Sequence, residues 1–213
     1  MFGISDGLVT NVSLILGVAG AAPGGTFVRL TGLAGLVAGA FSMAAGEYIS
    51  MRAQRELLQH ELEVEREALD HSPQAERQEL AAIYERRGLT PAFARELVEM
   101  MMRDPQTALE THAREELGIN PSSLGSPVIA ALSSFVTFGL GALLPLIPWL
   151  VTHGTGAIVA SVVIGAVAAF SVGFVLGALT GRSKVRDGLR QLAVAAVAAA
   201  VTYGVGRAVG AST

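Results

Sequence analysis

Apolar sequence brackets a single long polar block, and that alternation organises the chain. Gly7 to Val28 carries no charge, a second apolar run extends from about Leu30 to Glu47, and the polar block runs from Arg52 to Gly118. After Ser126-Pro127 the apolar character returns and continues to the C-terminus with one basic interruption. A bilayer-crossing helix needs roughly 20 largely apolar residues. The pattern therefore predicts five spans: about Phe2 to Ala22, Leu30 to Glu47, Val128 to Val151, Gly156 to Thr180 and Leu189 to Gly206. Gly32, Gly35 and Gly39 offer small faces for close helix approach, and Gly173, Gly177 and Gly181 repeat at four-residue spacing. Pro145 and Pro148 predict a kinked or frayed exit from the third span, with Trp149 at the membrane interface.

The polar block is itself helical by pattern. Ser72-Pro73, Thr90-Pro91 and Asp104-Pro105 each pair a capping residue with proline at a first helical position. This predicts an extension of the second span to about Asp70, then helices from Pro73 to Arg87, Pro91 to Met102 and Pro105 to Leu117. Gly88 and Gly118 stand at the expected stops. The expected fold class is all-α, a five-span transmembrane helical bundle with a small helical domain inserted between spans two and three. The expected domains are 1–51, 52–120 and 121–213.

Composition and charge sharpen this picture. The chain has 213 residues, 51% hydrophobic and 15% charged, too apolar for an average soluble domain. The polar block holds fifteen of the eighteen carboxylates and nine of the fifteen cations, all arginine, so it is net negative while the remainder is net positive. These arginines sit among a larger number of acids and form no basic patch, which argues against nucleic acid as a partner. No cysteine is present, so disulfides and thiolate metal sites are excluded. No basic region precedes the first apolar run, which argues against a secretory signal peptide. Between spans four and five, Arg182, Lys184, Arg186 and Arg190 outnumber Asp187, whereas the preceding loop has no formal charge apart from His153. The positive-inside bias then places the basic loop, the acidic domain and the N-terminus in the cytoplasm.

Two groups of residues carry candidate chemistry. Asp6 falls inside or at the edge of the first span and reads in two ways. Intramembrane acids mark ion or proton routes, whereas an N-cap wetted at the interface is the plainer alternative. Met43 taken alone reads as packing, and Glu47 as an interfacial charge beside Tyr48. Within the polar block, Glu61 and Glu65, Glu76 and Glu79, and His112 and Glu116 lie three or four residues apart, so each pair shares a helix face. Like charges at that spacing repel unless a divalent cation sits between them, and oxygen donors with an imidazole suit Fe²⁺, Mn²⁺ or Zn²⁺. The plainer alternative is a solvated surface laced with pairs such as Glu63 and Arg66. The paired Glu-x-x-His signature of di-iron bundles is absent, which weakens a ferroxidase reading without removing it.

Phe2-Gly3, Asp6-Gly7, Met43, Gly46-Glu47-Tyr48, the acidic insert and Glu116-Leu117-Gly118-Ile119, taken in that order, resemble the vacuolar iron transporter (VIT) family in a bacterial-type form. The resemblance implies a homodimer of five-span protomers, not an enzyme, that carries divalent iron and often manganese out of the cytoplasm in exchange for protons. It implies that Asp6 and Met43 lie on the transport pathway with Glu47 close behind. It also implies that the insert is a cytoplasmic metal-binding domain whose glutamate ligands match Glu65, Glu76, Glu79 and Glu116. Ala68 stands where a further ligand glutamate is expected, and His112-Ala113 replaces a methionine pair, so His112 becomes a candidate imidazole ligand. Glu61, Glu67 and Glu115 are the neighbours able to compensate. Fe²⁺ or Mn²⁺ is the expected substrate, with Zn²⁺ as a surrogate, and the arginine-rich, compact chain suggests a bacterial cytoplasmic (inner) membrane. The short amphipathic segment ahead of the first span in relatives is expected to be missing or removed. The rival functions are a membrane-anchored carboxylate ferroxidase, a passive cation channel and a metal sensor.

Overall fold

The computed structural model describes residues 2–21 and 24–211. Among them are eight α-helices and no strand: α1 (Phe2–Ala21), α2 (Gly25–His71), α3 (Pro73–Arg86), α4 (Pro91–Met101), α5 (Pro105–Glu115), α6 (Pro127–Val151), α7 (Thr155–Leu179) and α8 (Lys184–Gly210). Five of these, α1, α2, α6, α7 and α8, are long and apolar enough to cross a membrane. The chain divides into two compact units. One comprises Met1–Tyr48 with Val128–Thr213, here the membrane unit, and the other is Ile49–Pro127, here the polar unit.

Every other span of the membrane unit packs on α1. Leu8, Val12 and Leu16 of α1 meet Ala169 of α7 and Ala195 of α8. Further along α1, Ile15 and Ala19 meet Val28 of α2, Leu146 and Trp149 of α6, and Ala157 of α7. Lipid supplies no hydrophobic drive for helices to associate, so small residues that admit close backbone contact take that role. Gly7 and Gly141 do this reciprocally between α1 and α6. A Cβ on Gly7 would overlap the Phe138 carbonyl, and one on Gly141 would overlap the Ile4 carbonyl. Apolar side chains such as Leu33, Val37, Leu132, Val163 and Val201 remain exposed, as a lipid-facing surface requires.

Three expectations change here. Trp149 is fully buried, because α1, α2 and α7 enclose it, and so it is not an interfacial anchor. Helix α6 continues through Pro145 and Pro148 to the expected end at Val151, which removes the frayed alternative and leaves the kinked one. Two neighbouring side chains donate to carbonyls of that stretch: Asn11 Nδ2 to Ala142 O at 2.6 Å and Ser161 Oγ to Pro145 O at 2.7 Å. Helix α8 starts at Lys184, well before Leu189, because the Ser183 side chain caps it by accepting from the Arg186 N–H at 3.5 Å. Most of the basic residues thus belong to a helix and not to a loop.

The polar unit has small cores of its own. Leu80 and Ala81 of α3 pack on Ala94 and Val98 of α4, while Leu62 of α2 packs on Ala113 and Ile119. Proline opens α3, α4 and α5. Of the three expected caps only Asp104 bonds through its side chain, with Oδ2 accepting from the Thr107 N–H at 2.8 Å. Ser72 and Thr90 make no such bond.

Candidate metal centre

The site is assembled by the turn that ends α5. Gly118 sits in the left-handed region at φ +66, open to glycine without the Cβ clash that other residues meet. The chain reverses there, so the Ile119 N–H reaches the Ala113 carbonyl at 2.7 Å and Ile119 is buried beside Leu62 and Ala113. Leu62 shares a face of α2 with Glu65, three residues on, and Ala113 shares its face with Glu116. The apolar contact that anchors the end of α5 to α2 therefore also brings His112 and Glu116 to Glu65. Glu76 arrives on α3, one turn before the buried Leu80.

Glu65, Glu76, His112 and Glu116 each offer a ligand atom, and all four atoms lie within 4.8 Å of one another. His112 Nδ1 is 3.0 Å from Glu65 Oε1, 3.8 Å from Glu76 Oε2 and 3.6 Å from Glu116 Oε2. The His112 side chain has no exposed surface, and Glu65 is 8% exposed. Despite their closeness, Nδ1 and Oε1 are not aligned as a hydrogen bond, and no partner satisfies either atom or His112 Nε2 among the described residues. Buried polar atoms rarely go unsatisfied in folded proteins. Metal–ligand bonds of about 2.0–2.2 Å place adjacent ligand atoms roughly 3–4 Å apart, which the observed spacing around Nδ1 matches. Three carboxylates and an imidazole, without sulfur, suit Fe²⁺, Mn²⁺ or Zn²⁺.

Electrostatics point the same way. Burial, followed by the neighbouring carboxylates Glu116, Glu76 and Glu79, pushes the Glu65 carboxyl up from 4.5 to about 7. The Glu76 carboxyl is also raised, chiefly by burial, with His112 pulling it down and Glu79 and Glu116 pushing it up. A divalent cation at this point would offset both the desolvation and the repulsion.

The other candidate residues are placed differently. Glu79 is exposed and contributes no atom to the four-residue group, although it is close enough to raise Glu65 and Glu76. Glu115 is engaged elsewhere, paired with Arg87 and accepting from the Tyr84 hydroxyl at 3.3 Å. Glu61 and Ala68 are half-buried and Glu67 is exposed. In the membrane unit, Asp6 is exposed and already lies within α1, which begins at Phe2. It is therefore not the N-cap. Met43 is half-buried against the cluster of Ala40, Phe138 and Ala142, and Glu47 is half-buried one turn later. Sequence reasoning passed over Asn11 and Ser13, which are buried on α1. The signal for them was their polarity in a span whose only charged residue is Asp6.

Fold and site together define a class, that of helical multi-span membrane proteins with a separate polar unit rich in oxygen donors. The profile of the VIT family matches residues 1–207, and the chain belongs to that family. It is similar to vacuolar iron transporter 1 of Oryza sativa subsp. japonica, with 30% identity over 210 residues, covering 98% of this chain and 83% of the relative. Vacuolar iron transporter 1 of Arabidopsis thaliana is 30% identical over 204 residues, covering 95% and 82% respectively. The vacuolar iron transporter of Acanthamoeba castellanii is 37% identical over 188 residues, covering 84% and 68%.

Proposed function

We propose that this protein transports divalent iron, and Mn²⁺ with it, out of the cytoplasm in exchange for protons. Membership of the VIT family and relatives named as iron transporters support the transport reading. The observation that carries the metal assignment is the convergence of Glu65, Glu76, His112 and Glu116 with buried donor atoms left unsatisfied. In this reading the polar unit is a cytoplasmic metal-binding domain, inserted between spans two and three, that gathers the cation. Glu79 serves as an outlying carboxylate that attracts it. Asp6 and Met43 then receive the metal on the transport pathway, with Glu47 close by, in a homodimer.

Carboxylates ligate metal only when deprotonated, and imidazole only when the ligating nitrogen is free of its proton. Metal and proton therefore compete for Asp6, and alternating exposure of that residue to the two sides converts the competition into antiport. The protein has no catalytic role in this scheme, and Zn²⁺ acts as a surrogate ligand for the polar unit. The positive-inside bias of the basic segment supports a cytoplasmic polar unit, and the bacterial cytoplasmic membrane is the host compartment of this reading.

The test is flux through purified full-length protein in sealed vesicles carrying a pH gradient. Fe²⁺ or Mn²⁺ should move with counterflow of protons, and Asp6→Ala should slow it by about tenfold or more. Absence of flux, or an Asp6→Ala variant as fast as wild type, overturns the proposal. Oxygen consumption with a ferric product and no flux would instead identify a ferroxidase.

A further inference from the structure

The start of α8 gathers charge of the sign opposite to the polar unit. A hollow of about 590 Å³ is lined there by Arg182, Ser183, Arg186, Asp187 and Arg190. Asp187 is buried, and its Oδ1 lies 3.4 Å from Arg190 Nη2, so one positive charge is balanced. Among the described residues Arg182 and Arg186 have no carboxylate partner. Lys184 adds another cation, its Nζ 6.0 Å from the centre of the Phe174 ring. The N-terminus of a 27-residue helix adds the positive end of its dipole to the same place. Guanidinium forks match phosphate oxygens in a two-point geometry, so a phosphate group is the anion this hollow suits.

The surroundings identify the source of that phosphate. Leu179, Val185 and Leu189 flank the hollow in sequence and are exposed, at 70%, 55% and 54%, on helices long and apolar enough to cross a bilayer. A basic hollow at the end of a span, continuous with exposed apolar helix surface, has the polarity of a phospholipid, with the headgroup in the hollow and the acyl chains beside it. We propose that Arg182 and Arg186, with Lys184 and the N-terminus of α8, bind the phosphate of an anionic phospholipid. One turn further along α8, Gln191 donates to Ser5 Oγ, the neighbour of Asp6. The bound lipid thus holds the helix end that is tied to the Asp6 segment.

The test compares retention of phosphatidylglycerol and of phosphatidylcholine with the same acyl chains on purified full-length protein, by native mass spectrometry, with inorganic phosphate as a competitor. Wild type should retain phosphatidylglycerol in preference, and Arg182→Gln with Arg186→Gln should reduce that preference by about tenfold. Arg95→Gln with Arg103→Gln, in the polar unit, should leave it unchanged. Equal retention of the two lipids by wild type, or an unchanged double variant, overturns the assignment. So does loss of the preference in the control pair. Displacement of the lipid by millimolar inorganic phosphate would make this a free-anion site and overturn the lipid assignment. If the double variant does not purify folded, Arg186→Gln alone decides, with a partial loss expected and no loss overturning the proposal.

Discussion

Asn11 in the membrane unit and Glu65 in the polar unit are both polar residues buried at a helix contact, and their surroundings differ. The Asn11 amide donates to a carbonyl of α6, as the Ser161 hydroxyl does, and the buried Asp187 has Arg190 beside it. Asn11 Oδ1 and a Glu65 oxygen are both buried without a hydrogen bond, but Glu65 is an acid that faces a histidine and two further carboxylates. The nearest cation along its helix, Arg66, is occupied with Glu63 at 2.5 Å. In the membrane unit, Asn11 and Ser161 donate across helix contacts and the buried acid is paired. In the polar unit carboxylates are gathered at an electrostatic cost that a bound cation would offset, as in the transport reading.

In the membrane unit, Gly141→Ala should have the largest effect. The added Cβ would overlap the Ile4 carbonyl, and backbone cannot yield without separating α1 from α6. Overpacking costs about 1–3 kcal/mol and more where backbone must move, so the full-length variant should lose a large part of its thermal stability in detergent. Gly204→Ala, where nothing lies within 4 Å of the added carbon, should unfold at nearly the wild-type temperature. Equal damage from the two would mean that close backbone contact is not what holds this unit.

The polar side of the comparison is tested by pH. The Glu65 carboxyl is raised to about 7, so between about 4.5 and 7 the folded state binds a proton that the unfolded chain has released. Its contribution to metal-free stability is therefore full below about 4.5 and is lost as pH rises through about 7. Glu65→Gln removes this loss. At pH 8 without metal, hydrogen exchange across residues 49–127 should be slower in the variant than in wild type, while protection by Mn²⁺ should need about tenfold more metal. Identical metal-free exchange in the two proteins would remove the electrostatic cost from the comparison.

Much of this was legible in the sequence, for identifiable physical reasons. Crossing a bilayer depends on length and composition, so the five long apolar helices could be read directly, and prolines marked where α3, α4 and α5 begin. Spacing placed Glu76 beside Glu79 and His112 beside Glu116, but spacing cannot say which side of a helix meets a partner. That is why Glu79 reads as equivalent to Glu76 although it offers no atom to the four-residue group. Leu62, three residues before Glu65, held the available signal, since the apolar face of that stretch has to be the one that α5 covers. Trp149 was misread for the same reason, because its burial is created by three other helices. Asp6 turned on one local fact, the start of α1 at Phe2, for which the sequence holds no capping motif.

Asp104 gives the polar unit a second, weaker pH response of opposite sign. Hydrogen bonds from the Thr107 backbone and hydroxyl hold the Asp104 carboxyl below its usual range. A lowered carboxyl contributes stability above its ordinary value of 3.8 and loses it as pH falls through the folded value. Near neutral pH, Asp104→Ala should therefore speed exchange in α5 slightly, by loss of the cap, and should flatten the acid-side decline. Asp104→Asn, which caps without a charge, should keep the neutral-pH protection and still lose the acid-side decline. If Asp104→Asn behaves like Asp104→Ala at neutral pH, the charge and not the hydrogen bond holds this helix end, and hydrogen exchange in α5 at pH 7 distinguishes the two.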